Sequence, residues 1–103
     1  MNDAVARCQK LLEQYPDNEL ARFSLGKAWF DAGQFAAAKE QFALALASKP
    51  DWMVVQILLG KCELALGDKA AAKSAFERAR QLAIEQDHRG PLEEMNLALA
   101  EIS

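Results

Sequence analysis

Two stretches of the sequence decide the fold: residues 25–45 read LGKAWFDAGQFAAAKEQFALA, and residues 59–79 read LGKCELALGDKAAAKSAFERA. They lie one 34-residue period apart, and the match extends without a gap, so that 16–49 aligns with 50–83. Most identical pairs are Gly, Pro, Ala or Phe, which set turns and the spacing between helices. They are Pro16/Pro50, Asp17/Asp51, Leu25/Leu59, Gly26/Gly60, Lys27/Lys61, Gly33/Gly67, Ala36/Ala70, Ala37/Ala71, Ala38/Ala72, Lys39/Lys73, Phe42/Phe76 and Ala45/Ala79. A repeat of this length indicates a helix-turn-helix unit that stacks on its neighbours.

The composition of the whole chain favours helices. Ala and Leu, which are strong helix formers, are abundant, whereas Val and Ile are few and Thr is absent. The 103 residues, 51% of them hydrophobic and 26% charged, fit one compact domain and exclude a disordered chain. We therefore expect an all-α protein rather than a β-sandwich or barrel.

The few Gly and Pro residues divide the chain into helices. Gly33 and Gly67 each follow an apolar-periodic stretch, at a place where a helix end needs a residue that tolerates positive φ. This punctuation predicts six helices, at about 2–15, 18–32, 35–48, 52–66, 69–84 and 90–102.

Short polar residues after two prolines are candidate helix caps. Asp17 or Asn18 follows Pro16, and Asp51 follows Pro50. Because their side-chain oxygens can accept the unpaired N–H groups of a first helical turn, we predict an N-cap at Asp17 or Asn18 and another at Asp51.

Gly26 and Gly60 do not fit the punctuation, because both lie in the middle of a predicted helix. Glycine at such a position costs about 1 kcal/mol relative to alanine. We therefore expect a neighbouring helix to approach closely at both positions, where a Cβ would block it.

These residues together resemble the tetratricopeptide repeat (TPR) family, whose pattern is W-x2-L-G-x2-Y, then A-x3-F, then P. The first unit reads Arg22-x2-Leu25-Gly26-x2-Trp29, Ala38-x3-Phe42 and Pro50, and the second reads Gln56-x2-Leu59-Gly60-x2-Glu63 and Ala72-x3-Phe76. Arg22, Gln56 and Glu63 depart from the family's large apolar or aromatic residues. The resemblance implies a TPR-like α-solenoid, with helix-turn-helix repeats stacked in a short right-handed superhelix. It implies one domain over 1–103, made of a half repeat (2–16), repeat 1 (19–52), repeat 2 (53–86) and a capping helix (87–103).

Charge and cysteine content limit the classes of partner and compartment. A net charge of -3 weighs against binding to nucleic acid or to an anionic membrane surface. No apolar run is long enough to span a membrane, and the first residues lack the pattern of a signal peptide. Because Cys8 and Cys62 are too few for a disulfide scaffold, we expect a reduced, cytoplasmic setting.

The sequence offers little for catalysis or for metal and cofactor binding. His88, the only histidine, lies in a polar segment and reads as a solvated residue, and Cys8 and Cys62 read as small buried thiols. No phosphate-binding glycine loop and no metal-ligand spacing occur. We therefore predict that the chain is not an enzyme and needs no cofactor or metal.

The resemblance implies that the first helices of the repeats line a concave groove that binds an extended or helical peptide. Its groove positions map onto Leu20, Phe23, Lys27, Phe30 and Asp31 in one helix, and onto Val54, Ile57, Lys61, Leu64 and Ala65 in the next. The spacing within each set puts its members on one helical face. Family members that bind chaperone tails use a carboxylate clamp of Lys, Asn and Arg, and Phe23, Ser24, Val54 and Leu58 replace several of those residues here.

Two functions follow, and a third is indistinguishable from the first. An adaptor would bind an apolar peptide segment of another protein, whose acidic flank would meet Lys27 and Lys61. A self-associating structural protein would use the same apolar face as a homodimer interface. A regulatory subunit of an enzyme would look like the adaptor. The side chains of Phe23, Phe30, Ile57 and Leu64 could also be core rather than open surface.

Overall fold

The computed structural model describes residues 3–102 and contains six α-helices in that range. They are α1 (Asp3–Gln14), α2 (Glu19–Asp31), α3 (Phe35–Ser48), α4 (Met53–Ala65), α5 (Lys69–Glu85) and α6 (Arg89–Ile102). Each predicted helix is present, and its ends fall within one residue of those expected. Residues 2 and 103, which the predictions included in the half repeat and the capping helix, lie outside the described range.

The helices stack in chain order. Each one packs extensively on the helices before and after it, and the most extensive contacts join α2 to α3 and α4 to α5, the two helices within each repeat. By the 34-residue period, α2 and α4 are the first helices of the repeats and α6 corresponds to a further first helix, whereas α1, α3 and α5 are second helices. We call these the first-helix layer and the second-helix layer.

No helix between residues 3 and 102 combines the length and the apolar character needed to cross a membrane.

One of the predicted caps is present and one is wrong. The Asn18 side chain accepts a hydrogen bond from the backbone N–H of Ala21 at 3.0 Å and so caps α2. The cap residue of α4 is Trp52, which makes no side-chain cap, because the helix begins one residue too late for Asp51 to reach its N–H groups. The Asp51 carbonyl instead accepts a hydrogen bond from the Gln86 side chain at 3.0 Å.

The turns within the two repeats are equivalent. Gly33 and Gly67 have φ values of 75° and 87°, so both occupy the left-handed region that the sequence required of them. The connection before α6 is different, because there Asp87 adopts a positive φ of 56°.

Both mid-helix glycines are sites of close helix approach, as predicted. A Cβ on Gly26 would lie 2.6 Å from Cε1 of Phe42, and one on Gly60 would lie 2.5 Å from Cε1 of Phe76. The repeat therefore pairs a glycine on its first helix with a phenylalanine on its second.

The core follows the stack rather than forming one central cluster. The α3–α4 junction buries a cluster that includes Phe42 and Cys62, and the α4–α5–α6 junction buries one that includes Phe76 and Met95. The prediction of buried thiols is correct for Cys62 and wrong for Cys8, which is only half-buried at the N-terminal end of the stack.

Candidate functional site

Three aliphatic side chains of the predicted groove are open to solvent. Leu20 on α2 is 68% exposed, and Val54 and Leu64 on α4 are 44% and 42% exposed. They lie in the first-helix layer, where the family resemblance implied a binding surface. We call the predicted set Leu20, Phe23, Lys27, Phe30, Val54, Ile57, Lys61 and Leu64 the first-helix face.

The two phenylalanines of this face are half-buried in an aromatic cluster. The Phe23 ring lies 5.2 Å from that of Trp52 and 6.3 Å from that of Phe42. Phe30 meets Phe35 edge-on at 5.4 Å. Phe23 and Phe30 are therefore both core residues and surface residues, since one side of each ring packs on the core and the other side reaches solvent.

Ile57 does not belong to an open surface. It is buried in the cluster of Ala72, Phe76, Ala79 and Met95, which α5 and α6 complete. Its spacing predicted a groove residue, but side chains of α5 and Met95 of α6 bury it. Ile57 is therefore a core residue.

The first lysine of the face is already engaged within its own helix. Lys27 Nζ lies 2.8 Å from Oδ1 of Asp31, one helical turn further on, and 5.9 Å from the centre of the Phe30 ring. Both charged side chains remain about half exposed. Such a surface pair contributes little to stability and can exchange partners.

The second lysine connects two helices of the layer. Lys61 Nζ on α4 lies 3.2 Å from Oε2 of Glu94 on α6, and both side chains are about half exposed. The sequence did not reveal this partner, because Glu94 lies in the capping helix, where the repeat alignment ends.

Trp52 is a residue of this region that the sequence reading missed. Its ring contacts Phe23 and also receives the Lys49 ammonium at 5.2 Å from the ring centre. The positions one period away are Asn18 and Gln86, so the repeat comparison carried no aromatic signal there. A tryptophan at a helix start was the only indication available.

A buried carboxylate lies behind the face, between the repeats. Glu63 on α4 is buried, and its Oε1 lies 2.9 Å from Nζ of Lys39 on α3. This contact, through hydrogen bonding and charge, raises the pKa of Lys39. Burial, and then the Glu63 charge, raise the pKa of the neighbouring Cys62 thiol to about 11, so this thiol is protonated at neutral pH.

The described part of the chain holds no cluster of His, Cys, Asp or Glu that could bind a metal ion. His88 is exposed in the turn before α6. The chemistry of the first-helix face is therefore that of a contact surface, with apolar side chains beside two charge pairs.

Models of known families match most of the chain. One tetratricopeptide repeat model matches residues 1–52, and a second matches residues 55–82.

Individual proteins give the same result. A TPR repeat-containing protein of Pseudomonas aeruginosa is 33% identical over 94 residues, which cover 91% of this chain and 90% of that protein. The solution structure of a protein from Bordetella parapertussis superposes with a TM-score of 0.86 at 31% identity, covering 99% of this chain and 89% of the other.

A second structure shows the fold in a complex. PcrH of Pseudomonas aeruginosa, crystallised with the chaperone binding region of PopD, superposes with a TM-score of 0.89. The identity is 23%, and the match covers 97% of this chain and 76% of PcrH.

Proposed function

The chain belongs to the tetratricopeptide repeat family, and from that premise we propose that it is an adaptor that binds a peptide segment of another protein. The segment would lie along the first-helix layer, across α2 and α4. In this proposal the single domain 1–103 comprises repeats 19–52 and 53–86, the half repeat 2–16 and the capping helix 87–103. A cytoplasmic setting and the absence of catalytic activity stay predictions from the sequence.

The observation that carries the proposal is the exposure of Leu20, Val54 and Leu64 on the first helices. Exposed apolar side chains grouped on one face are typical of protein-binding sites. Half-buried Phe23 and Phe30 add to this apolar surface, whereas Ile57 takes no part because it is buried among side chains of α5 and α6.

The charge pairs of the face give the bound segment a preference. Lys27 and Lys61 both keep about half of their side-chain surface in water while they pair with Asp31 and Glu94. An acidic residue next to the apolar part of a segment can replace either partner without burying a new charge. We therefore propose a segment with alternating apolar anchors and at least one acidic flank.

A related fold supports a peptide as the kind of ligand. PcrH, which has the same fold, was crystallised with a region of PopD. That complex concerns PcrH alone, so the partner of this chain has to come from experiment.

The test is affinity capture with a matched surface control. Val54→Glu/Leu64→Glu places charges on the first-helix face, whereas Leu44→Glu changes a residue of the second-helix layer that is 46% exposed and so equally accessible. We expect wild type and Leu44→Glu to retain the same partner proteins and Val54→Glu/Leu64→Glu to lose them. The face assignment is wrong if the double variant recovers those partners as wild type does.

A second experiment separates the adaptor from the homodimer that the sequence left open. If light scattering shows that Val54→Glu/Leu64→Glu abolishes a dimer that wild type forms, the same face binds a second copy. If wild type and the double variant have the same mass at every concentration, the face does not mediate self-association.

A further inference from the structure

Within residues 3–102, α1 and α6 are not paired with a helix that completes their repeat. By the 34-residue period, α1 corresponds to a second helix, because Cys8 and Leu11 align with Phe42 and Ala45. α6 corresponds to a first helix, because Glu94 aligns with Gly26 and Gly60. Among residues 3–102, α1 has no first helix of its own repeat and α6 has no second helix.

On α1, the side that a first helix covers elsewhere is open. Phe42 of α3 and Phe76 of α5 pack closely on a glycine of the first helix of the same repeat, and Ala45 and Ala79 are buried as well. At the equivalent places Cys8 is half-buried and Leu11 is 42% exposed.

On α6, the side that a second helix covers elsewhere is also open. Leu97 aligns with Glu63, which is buried and pairs with Lys39 of the preceding second helix, and with Trp29, which packs against the core cluster of the second helix that follows it, α3. Without a following second helix, Leu97 is 67% exposed.

At the close-contact positions, the residues of α6 and α1 differ from the glycine and phenylalanine of the repeats. In both repeats the close contact pairs a glycine with a phenylalanine, and a Cβ on the glycine would overlap the ring. The corresponding pair at the ends is Glu94 on α6 and Cys8 on α1. Compared with the glycine–phenylalanine pair of the repeats, the first-helix side chain is larger at the ends and the second-helix side chain is smaller.

The charges of the two ends are complementary in the same register. A Cβ on Gly26 would lie 3.2 Å from Cβ of Gln41, so this glutamine neighbours the close contact in repeat 1. The residue one period before Gln41 is Arg7. A helix docked on α1 as α2 docks on α3 would therefore bring its Glu94 beside Arg7, an arrangement that favours pairing.

We propose that copies of this chain associate end to end, with α6 of one copy packed on α1 of the next to complete a repeat. The interface is heterologous, so it extends the superhelix or closes it into a ring, unlike the symmetric homodimer considered above. It leaves the first-helix face of every copy free, and it therefore goes beyond the proposed function without depending on it. Because a single helix pair is a small interface, we expect a Kd on the order of 10–1,000 μM.

The test uses two variants that each block one end. Leu11→Asp disables α1 but keeps α6, and Leu97→Asp disables α6 but keeps α1. Both positions are exposed, so circular dichroism and thermal melts should match those of wild type. By sedimentation velocity we expect wild type to associate with increasing concentration and each variant alone to remain at the 11.4 kDa monomer mass.

Mixing the two variants is decisive. An equimolar mixture retains one intact α6 and one intact α1, so it should form a dimer of twice the chain mass and grow no further. A monomeric mixture, or wild type that stays monomeric at about 1 mM, where a Kd in the expected range gives substantial association, would overturn the proposal. Dimers of Leu97→Asp alone or of Leu11→Asp alone would overturn it as well, since each variant has lost one of the two ends that the interface joins.

A charge swap tests the register of the interface without adding a charge to an apolar site. Arg7→Glu and Glu94→Arg should each weaken association by about tenfold, and the double variant should recover most of the loss. Glu94→Arg also breaks the ion pair with Lys61, so thermal melts of all three variants serve as the control. If the double variant recovers association, residues 7 and 94 meet in the interface. If it does not, the proposed register is wrong.

Discussion

Repeat 1 and repeat 2 share a framework but fill it with different chemistry. Both pair a first-helix glycine with a phenylalanine and turn on a glycine with positive φ. Around Phe42 the space is filled by the rings of Phe23 and Phe30, whereas around Phe76 it is filled by aliphatic side chains and Met95. A few small and aromatic residues therefore fix the helix geometry, and the positions between them vary freely.

The largest expected effect in either repeat comes from removing its paired phenylalanine. Phe42→Ala and Phe76→Ala should each lower the free energy of unfolding by about 3–5 kcal/mol, because both rings are fully buried. Phe42→Ala should cost about 0.5–1.5 kcal/mol more, since it also removes contacts with the rings of Phe23 and Phe30. Denaturant titration measures both values, and a larger loss for Phe76→Ala would contradict the comparison.

The shared glycines test whether the two close contacts are equivalent. Gly26→Leu and Gly60→Leu should each lower the free energy of unfolding by about 1–3 kcal/mol, because the new side chain overpacks against the facing ring. Gly26→Leu combined with Phe42→Ala should cost less than the sum of the single variants, as expected for residues in contact. Additive costs, or thermal melts unchanged by either leucine, would speak against this packing.

Cys62 replaces the Ala28 of repeat 1 and should give repeat 2 a pH dependence of its own. Its pKa is raised from 9.0 to about 11, so the unfolded chain loses this proton at lower pH than the folded one. The free energy of unfolding should therefore fall by up to about 2 kcal/mol between pH 9 and pH 11, in addition to any other titration. Cys62→Ala should remove that part of the slope.

The rate of alkylation provides a second test of the burial of Cys62. At pH 8, half-buried Cys8 should react with iodoacetamide well before buried Cys62. Equal rates would mean that the α3–α4 junction opens as readily as the N-terminal end.

The smallest expected difference concerns two lysines at equivalent positions of the second helices. Lys39→Met should lower the denaturation midpoint, because it leaves the buried Glu63 carboxylate without its partner. Lys73→Met should leave the midpoint unchanged, since Lys73 is exposed and makes no ion pair in the range 3–102. Because the Lys39 pKa is raised, its contribution is present below pH 10.5 and is lost as the pH rises through the raised value.

The recurring residues made the fold predictable from the sequence. Gly26 and Gly60 indicated close contacts, because a Cβ there would overlap the facing ring. Gly33 and Gly67 indicated turns, because glycine adopts a positive φ without steric cost. The cap at Asp51 could not be placed in the same way. A shift of one residue in the start of a helix moves a side chain away from the N–H groups it would cap.

The candidate site was only partly predictable, because exposure depends on what lies opposite each side chain. Ile57 and Phe23 occupy equivalent positions, yet Ile57 is buried among side chains of α5 and α6, while Phe23 remains half-exposed against Trp52. Periodicity shows which residues share a helix face but does not show which neighbour covers it. The repeat comparison did not indicate Trp52 or Glu94, because the residues one period away have different chemistry: Asn18 and Gln86 for Trp52, and Gly60 for Glu94.

Each helix packs mainly on the helices next to it in the chain, and this arrangement determines how the protein folds and where it unfolds locally. Since few contacts join distant parts of the sequence, we expect folding in microseconds to milliseconds. The helices need not open together, because α1 and α6 are each held from one side only. Amide hydrogen exchange should therefore form a gradient, with the slowest rates in α3 and α4 and progressively faster rates towards both ends of the stack.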